Sequence, residues 1–349
     1  MDSVAKLSPE ERVDLFRETA ERQRILPAII EKDFWVCWML KGMFSLADVG
    51  PHLIFKGGTS LSKAYQVIQR FSEDIDVTMD RGHLGFSGEN DPANAPSRNK
   101  RKELLEKLTT RVSEHTRNFL LPKLESDLLS VLGNKDAAGR VWGIDLTFEA
   151  DGSPTINFEY PAALTTAGFD FPEYIKPKVR VELGARGEVW PATTRTIAPY
   201  AAKAFPDYFQ VPSCGIQTLE IERTFWEKAT LLHVEWNRPE DKPAPERLSR
   251  HYSDLAALAQ SSHRAKALQR LDLLEAVAAH KSLFFASAWA HYETARPGSL
   301  HLVPPESRLA DLHRDFDQTR IMFFGEPPRF EEIIKELRDL ESEINGANK

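Results

Sequence analysis

Asp74 and Asp76 are one residue apart, and the run Asp74-Ile75-Asp76-Val77-Thr78-Met79 mixes carboxylates with β-branched residues. Its alternation predicts a strand on which Asp74 and Asp76 face one way while Ile75 and Val77 face the core. Two carboxylates so placed repel. At ~4 Å and an effective dielectric of ~20 the penalty is roughly 4 kcal/mol, an upper-end figure for a solvated pair. A divalent cation removes it. Mg²⁺, with Mn²⁺ as a substitute, suits the pair, because such an ion takes one or two carboxylates and leaves its other positions to water and phosphate oxygens. Two ions about 3.5–4 Å apart would stabilise both the attacking and the leaving oxygen of a phosphoryl or nucleotidyl transfer.

A second feature precedes the acids. His52-Leu53-Ile54-Phe55 reads as a short buried strand, and Lys56-Gly57-Gly58 as a turn. Glycines there allow backbone N–H groups to approach phosphate closely. A helix is expected to begin at Thr59-Ser60-Leu61-Ser62-Lys63, with Thr59 or Ser60 as its N-cap. A helix start favours an anion, so Ser60 is a candidate hydrogen-bond donor to phosphate and Lys63 a candidate counter-charge. Arg70 and Ser72 lie just before the acidic strand, within reach of the same ligand. A Gly-Gly turn or an Asp-x-Asp strand end is often merely structural when it occurs alone. The order strand, Gly-Gly-x-Ser turn, helix, Asp-x-Asp strand is more specific. The Walker A pattern and the dinucleotide glycine fingerprint are both absent from the sequence.

The elements that must hold these residues read as an α+β chain. Residues 8–24 and 27–46 are expected helices, the first opened by Ser8-Pro9-Glu10-Glu11. Residues 100–132 read as a helical stretch interrupted near Pro122. Strands are expected at Val141–Glu149, Thr155–Glu159 and Lys178–Leu183, and the segment Ala185–Pro212 as loop. From Gln217 onward the pattern is helical: Leu219–Val234, Glu246–Ser261, Arg264–Phe285 and Pro328–Ile344. This organisation suggests a catalytic domain over 1–215 and a helical domain over 216–349.

The bulk properties fit a soluble globular protein. The chain has 349 residues, 42% hydrophobic and 28% charged. No window approaches a membrane span and no targeting peptide is evident, so a cytoplasmic protein without membrane contact is expected, its two cysteines, Cys37 and Cys214, reduced. A net charge of −7 argues against broad nonspecific nucleic-acid affinity. The basic run Ser97-Arg98-Asn99-Lys100-Arg101-Lys102 could meet RNA phosphates, although a solvated helix start is the simpler reading. Trp35, Trp38, Phe284 and Phe285 read as core, and Asp315-Phe316-Asp317 as helix surface.

The Gly-Gly/Ser turn and spaced Asp-x-Asp resemble the DNA polymerase β-type nucleotidyltransferase superfamily. Within it, Glu31-Lys32-Asp33-Phe34-Trp35-Val36, Phe55-Lys56-Gly57-Gly58-Thr59-Ser60, Arg70-Phe71-Ser72-Glu73-Asp74-Ile75-Asp76 and Arg250-His251-Tyr252-Ser253-Asp254-Leu255 together resemble the AbiEii/AbiGii toxin nucleotidyltransferases. The resemblance spans about residues 20–345. It implies a polymerase β-like core, a mixed sheet flanked by helices, with a C-terminal helical domain. It also implies a nucleoside triphosphate substrate, Mg²⁺, a cognate antitoxin and an acceptor such as the 3′ end of tRNA. A protein or small-molecule acceptor, or a non-catalytic partner keeping the fold, are the alternatives. Nucleotide binding falls to Gly57, Gly58, Thr59, Ser60, Lys63, Arg70 and Ser72. Catalysis falls to Asp74, Asp76, Lys228 and Asp254. Lys228 is expected to contact phosphates, with Asp254 orienting Lys228 or Arg250; an intrahelical Arg250–Asp254 ion pair is the simpler account of that spacing. Superfamily sites carry a third carboxylate. Glu182 and Asp145 are the candidates, with Glu182 preferred because Val-Glu-Leu-Gly-Ala-Arg looks like the family's motif.

Overall fold

The computed structural model describes residues 1–134, 141–169 and 175–346. They form two compact units, one of residues 1–64, 71–91 and 102–218, the other of residues 65–70, 92–101 and 219–349.

Unit 1 is built on a mixed sheet of β1 (Leu53–Lys56), β2 (Asp74–Met79), β3 (Gly143–Phe148), β4 (Pro154–Glu159), β5 (Lys178–Gly184), β6 (Ala192–Ile197) and β7 (Cys214–Leu219), in the order β3-β4-β5-β2-β1-β7-β6. β2 sits centrally, antiparallel to β1 and parallel to β5. Its bounds are those the alternation predicts. Two strands escape the sequence reading. β6 lies at the sheet edge in the segment expected to be loop, and its Ala-Thr-Thr-Arg-Thr-Ile composition offers no apolar face to recognise. β7 ends inside the stretch read as helical from Gln217 onward.

Unit 1 also contains α1 (Asp2–Ala5), α2 (Pro9–Gln23), α3 (Pro27–Ser45) and α4 (Gly57–Lys63), of which α3 packs on β5 and α4 on β1 and β2. α2 begins where expected, because the Ser8 side chain accepts from Glu11 N–H and the Glu11 carboxylate accepts from Ser8 N–H. α3 is buried along most of its length, with Trp35 and Trp38 packed against Phe158 of β4. Its three buried charges are all engaged. Glu31 accepts from the N–H groups of Ala163 and Leu164, at the start of α7 (Ala163–Thr166). Lys32 pairs with Glu73 at 2.6 Å, immediately before β2. Asp33 pairs with Lys63 at 2.5 Å and accepts from Tyr200 N–H, at the start of α8 (Tyr200–Ala204). The Glu-Lys-Asp triplet thus fastens one helix to the elements around the acidic strand.

The expected break near Pro122 takes another form. α5 (Arg98–His115) runs into a π-helical turn at Thr116–Leu120 and continues as α6 (Leu121–Leu132), so Pro122 falls directly after the π turn within one continuous helix.

Unit 2 is helical: α9 (Ile221–Trp236), α10 (Ser249–Gln260), α11 (Arg264–Leu268), α12 (Leu271–Phe284), α13 (Glu306–Thr319) and α14 (Phe330–Gly346). Phe284 is core as expected, whereas Phe285 is exposed. Asp315 and Phe316 are not surface residues in the simple sense. Asp315 caps the start of α10 by accepting from Arg247 and Ser249 N–H, and Phe316 is buried.

Candidate functional site

On β2, Ile75 and Val77 are buried while Asp74 and Asp76 stay partly accessible on the other face. Register fixes their neighbours. Asp76 lies beside Glu182 of β5 on one side and Lys56 of β1 on the other, and Asp74 lies beside Arg180. Directly paired residues project to the same face of a sheet. Asp145 is two strands further out on β3, accepting from Asn157, so Glu182 is the carboxylate that adjoins the pair.

The glycine turn touches this group. Gly57 has φ +75°, and a Cβ built there would lie 1.9 Å from Asp76 Oδ2. Only glycine fits both the backbone conformation and the space. The turn and the carboxylate therefore meet at van der Waals distance.

Electrostatics follow from that crowding. Burial, then the Glu73 carboxylate, with Asp76 adding, hold Asp74 above the usual carboxylate range against Arg180 and Lys32. Burial, then Asp76 and Asp74, push Glu182 up to about 7. Such a cluster resists full ionisation until positive charge arrives. Among the described residues, no three His, Cys, Asp or Glu side chains converge closely enough to hold a metal unaided. The donors here are carboxylate oxygens on an accessible face, which suits a hard cation that completes its shell with water and phosphate.

The N-cap expected at Thr59 or Ser60 is corrected. α4 starts at Gly57 with Lys56 as N-cap, so Thr59 and Ser60 lie inside the helix rather than capping it. Both are buried. Thr59 donates to the Asp74 carbonyl and lies 3.0 Å from Ser72 Oγ, locking α4 to the start of β2. Ser60 donates to the Gly57 carbonyl, closing the glycine turn. Lys63 is buried with Asp33, which raises its pKa against the effect of burial. All three side chains are buried and bonded within the protein. Gly58 lies in the first turn of α4. Lys56, passed over in the sequence reading, is the lysine whose strand position puts it on the acidic face. Its adjacency to Gly57 was a signal, but its pairing with Asp76 depends on sheet register.

Unit 2 holds a second group. Lys228 on α9 donates to Asp254 Oδ2 and to His251 Nδ1, each at 2.8 Å. Arg70 donates to the same carboxylate with two nitrogens, at 2.8 and 2.9 Å. Burial opposes ionisation of Asp254, but Arg70 and Lys228 outweigh it and hold its carboxyl well below the usual range. Burial and then Lys228 hold His251 well below its ordinary value, which suits a neutral ring accepting the lysine hydrogen bond at Nδ1. Of the two partners named for Asp254, Lys228 is the one it holds, in place of the simpler Arg250–Asp254 ion pair, and Arg70 is committed to the same carboxylate. The contact of His251 with Lys228 is not evident from the sequence, although His251 stands about one helical turn before Asp254. The Arg70–Asp254 pair lines a cleft of about 630 Å³ within unit 2.

A mixed sheet whose central strand carries adjacent acids against a glycine turn defines a carboxylate centre suited to phosphate chemistry. The chain belongs to the AbiEii nucleotidyl transferase toxin family of type IV toxin–antitoxin systems, whose family model matches residues 38–336. Membership implies nucleotidyl transfer, a nucleoside triphosphate substrate and an antitoxin partner. No curated protein matches the sequence. Among solved structures, MenT4, the nucleotidyltransferase toxin Rv2826c of Mycobacterium tuberculosis H37Rv, is similar at 15% identity and TM-score 0.42, over 95% of this chain and 99% of that one. A putative nucleotidyltransferase from H. pylori is similar at 14% identity and TM-score 0.42, over 91% and 95%. Among the described residues, no helix is long and apolar enough to cross a membrane.

Proposed function

We propose that the protein is a metal-dependent nucleotidyltransferase toxin that moves a nucleotide from a nucleoside triphosphate to the 3′ end of a tRNA, releasing pyrophosphate. The observation that carries the reading is the packing of Gly57 against Asp76 on the accessible face of β2. Asp74 and Asp76, with Glu182 beside them, are the residues that would hold Mg²⁺, or Mn²⁺ in its place. The ion, when bound, supplies Lewis-acid stabilisation of phosphoryl oxygens. Gly57 and Gly58 give the triphosphate close access to backbone. Lys56, on the same face as Asp76, supplies positive charge to it. Thr59, Ser60, Ser72 and Lys63 hold the turn and strand in register, which keeps the reacting groups oriented. In unit 2, Asp254 accepts from both Lys228 and Arg70 and fixes the Lys228 ammonium. The setting is cytoplasmic, alongside a cognate antitoxin.

Purified protein with Mg²⁺ and each α-labelled nucleotide in turn, offered total tRNA or cell protein, tests this. Label on RNA is expected. Label on protein instead would replace the acceptor, and no label on either would leave a non-catalytic partner. Lys56→Ala is expected to raise KM for the nucleotide more than it lowers kcat.

A further inference from the structure

Outside the acidic centre, the α5–α6 helix carries an unusual surface. Arg111, His115, Phe119 and Lys123 follow one another at four-residue spacing. In a regular α-helix that spacing drifts by about 40° per step, or about 120° from Arg111 to Lys123. The π turn at Thr116–Leu120 takes more residues per revolution and reduces the drift, so these side chains form a straighter stripe. π turns of this kind are frequent at functional sites.

The stripe is aromatic at its centre and cationic at its ends. The His115 and Phe119 rings stack with centroids 5.3 Å apart. His83 meets His115 edge-on at 5.4 Å and stacks on His52 at 3.9 Å. Burial, then neighbouring histidine and Arg111, hold both His83 and His115 below their ordinary values. Phe119 is nonetheless 51% exposed, a large apolar ring left facing solvent. Arg111 and Lys123 rest on exposed carboxylates, Glu114 at 3.9 Å and Asp48. Surface pairs of this sort are worth little.

Rings open to stacking, bracketed by cations, match the way single-stranded nucleic acid is held: bases on aromatic faces, backbone on basic side chains. We propose that the Arg111–His115–Phe119–Lys123 stripe, with His83 beside it, is a docking surface for single-stranded RNA. This rests on the reading above, in which an RNA end is the acceptor. It places RNA contact on the α5–α6 helix and not on the basic run at its start, where Arg101 donates to the Pro92 carbonyl and the Ser97 hydroxyl caps Lys100 N–H.

The test is fluorescence anisotropy of the full-length protein with a labelled single-stranded RNA of about 12 nucleotides, in EDTA and without nucleotide, across a salt series. Phe119→Ala is expected to weaken binding about tenfold with an unchanged salt slope, and Phe119→Trp to restore it. Arg111→Ala and Lys123→Ala are each expected to reduce the slope of log K against log salt by about 0.7. Far-UV circular dichroism checks that each variant is folded. Wild-type affinity and slope in all three alanine variants would overturn the proposal. So would unchanged RNA binding together with loss of self-association in Phe119→Ala, which would mark a protein interface. Because the assay contains no metal or nucleotide, its outcome is separate from that of the transfer reaction. RNA binding lost in Phe119→Ala while wild type transfers no label would keep this surface and sink the enzymatic reading; the converse would do the reverse.

Discussion

Asp76 and Asp254 are both acids brought next to charged neighbours, yet their surroundings have opposite sign. Asp254 is buried between Arg70 and Lys228, and its charge is already balanced inside unit 2. Asp76 stands on an accessible face with Asp74 one step along its own strand and Glu182 directly across, and this crowding lifts Glu182 to about 7. One group is complete in the protein alone. The other gathers three carboxylates on an accessible face, with Lys56 beside Asp76 and Arg180 3.3 Å from Glu182. A balanced buried ion pair belongs to architecture and to fixed electrostatics, whereas a group of like charges left on a surface marks a place where a ligand brings the missing charge.

The sharpest way to break this contrast is to neutralise one acid from each group. Asp76→Ala is expected to lose nucleotide transfer on the order of 10³-fold or more, since metal stabilisation of the reacting oxygens is worth several kcal/mol. Its thermal midpoint should equal or exceed that of wild type, because one repelling charge is gone; a large drop would show that Asp76 is structural. Asp254→Ala should do the opposite to stability. It leaves Arg70 and Lys228 buried without their carboxylate, at a cost of about 3–5 kcal/mol by denaturant unfolding. A loss under 1 kcal/mol would mean that the pair is not the fastening described.

Gly57→Ala sits between the two. A methyl group there displaces Asp76 and strains the turn. Misplacement by about 1 Å can cost on the order of 10²-fold in rate, with a smaller stability loss than Asp254→Ala. Wild-type turnover in this variant would remove the turn from the site.

The smallest effect is in pH. Glu182 binds its proton more tightly in the folded chain, at about 7, than at its ordinary value of 4.5. Between those values the folded state holds more protons, so without cation stability falls as pH rises through this window and levels off above it. Mg²⁺ should therefore raise the thermal midpoint by more at pH 8 than at pH 5, by a few degrees. Equal shifts at both pH values would disconnect Glu182 from the cation.

These residues also show what a sequence reveals. β2 was legible to the residue, because Asp-Ile-Asp-Val alternates and both faces have a clear preference. The start of α2 was legible from Ser8, Pro9 and Glu11. The facing of α4 was not. Thr-Ser-Leu-Ser-Lys has little apolar contrast, so nothing local says that Ser60 and Lys63 turn inward to Gly57 and Asp33. Lys56 shows the same limit, since its place beside Asp76 depends on which strands pair and in what register. Asp254 illustrates a third kind. Four-residue spacing suggested Arg250, while its partner Arg70 lies far away in the chain and only tertiary folding brings it there.

The most direct measurement is a Mg²⁺ titration of wild type and Asp76→Asn, following incorporation of α-labelled nucleotide into RNA. Incorporation that rises with the ion in wild type and stays at background throughout in the variant is the expected result. Wild-type incorporation by a folded Asp76→Asn protein would contradict the account at its centre.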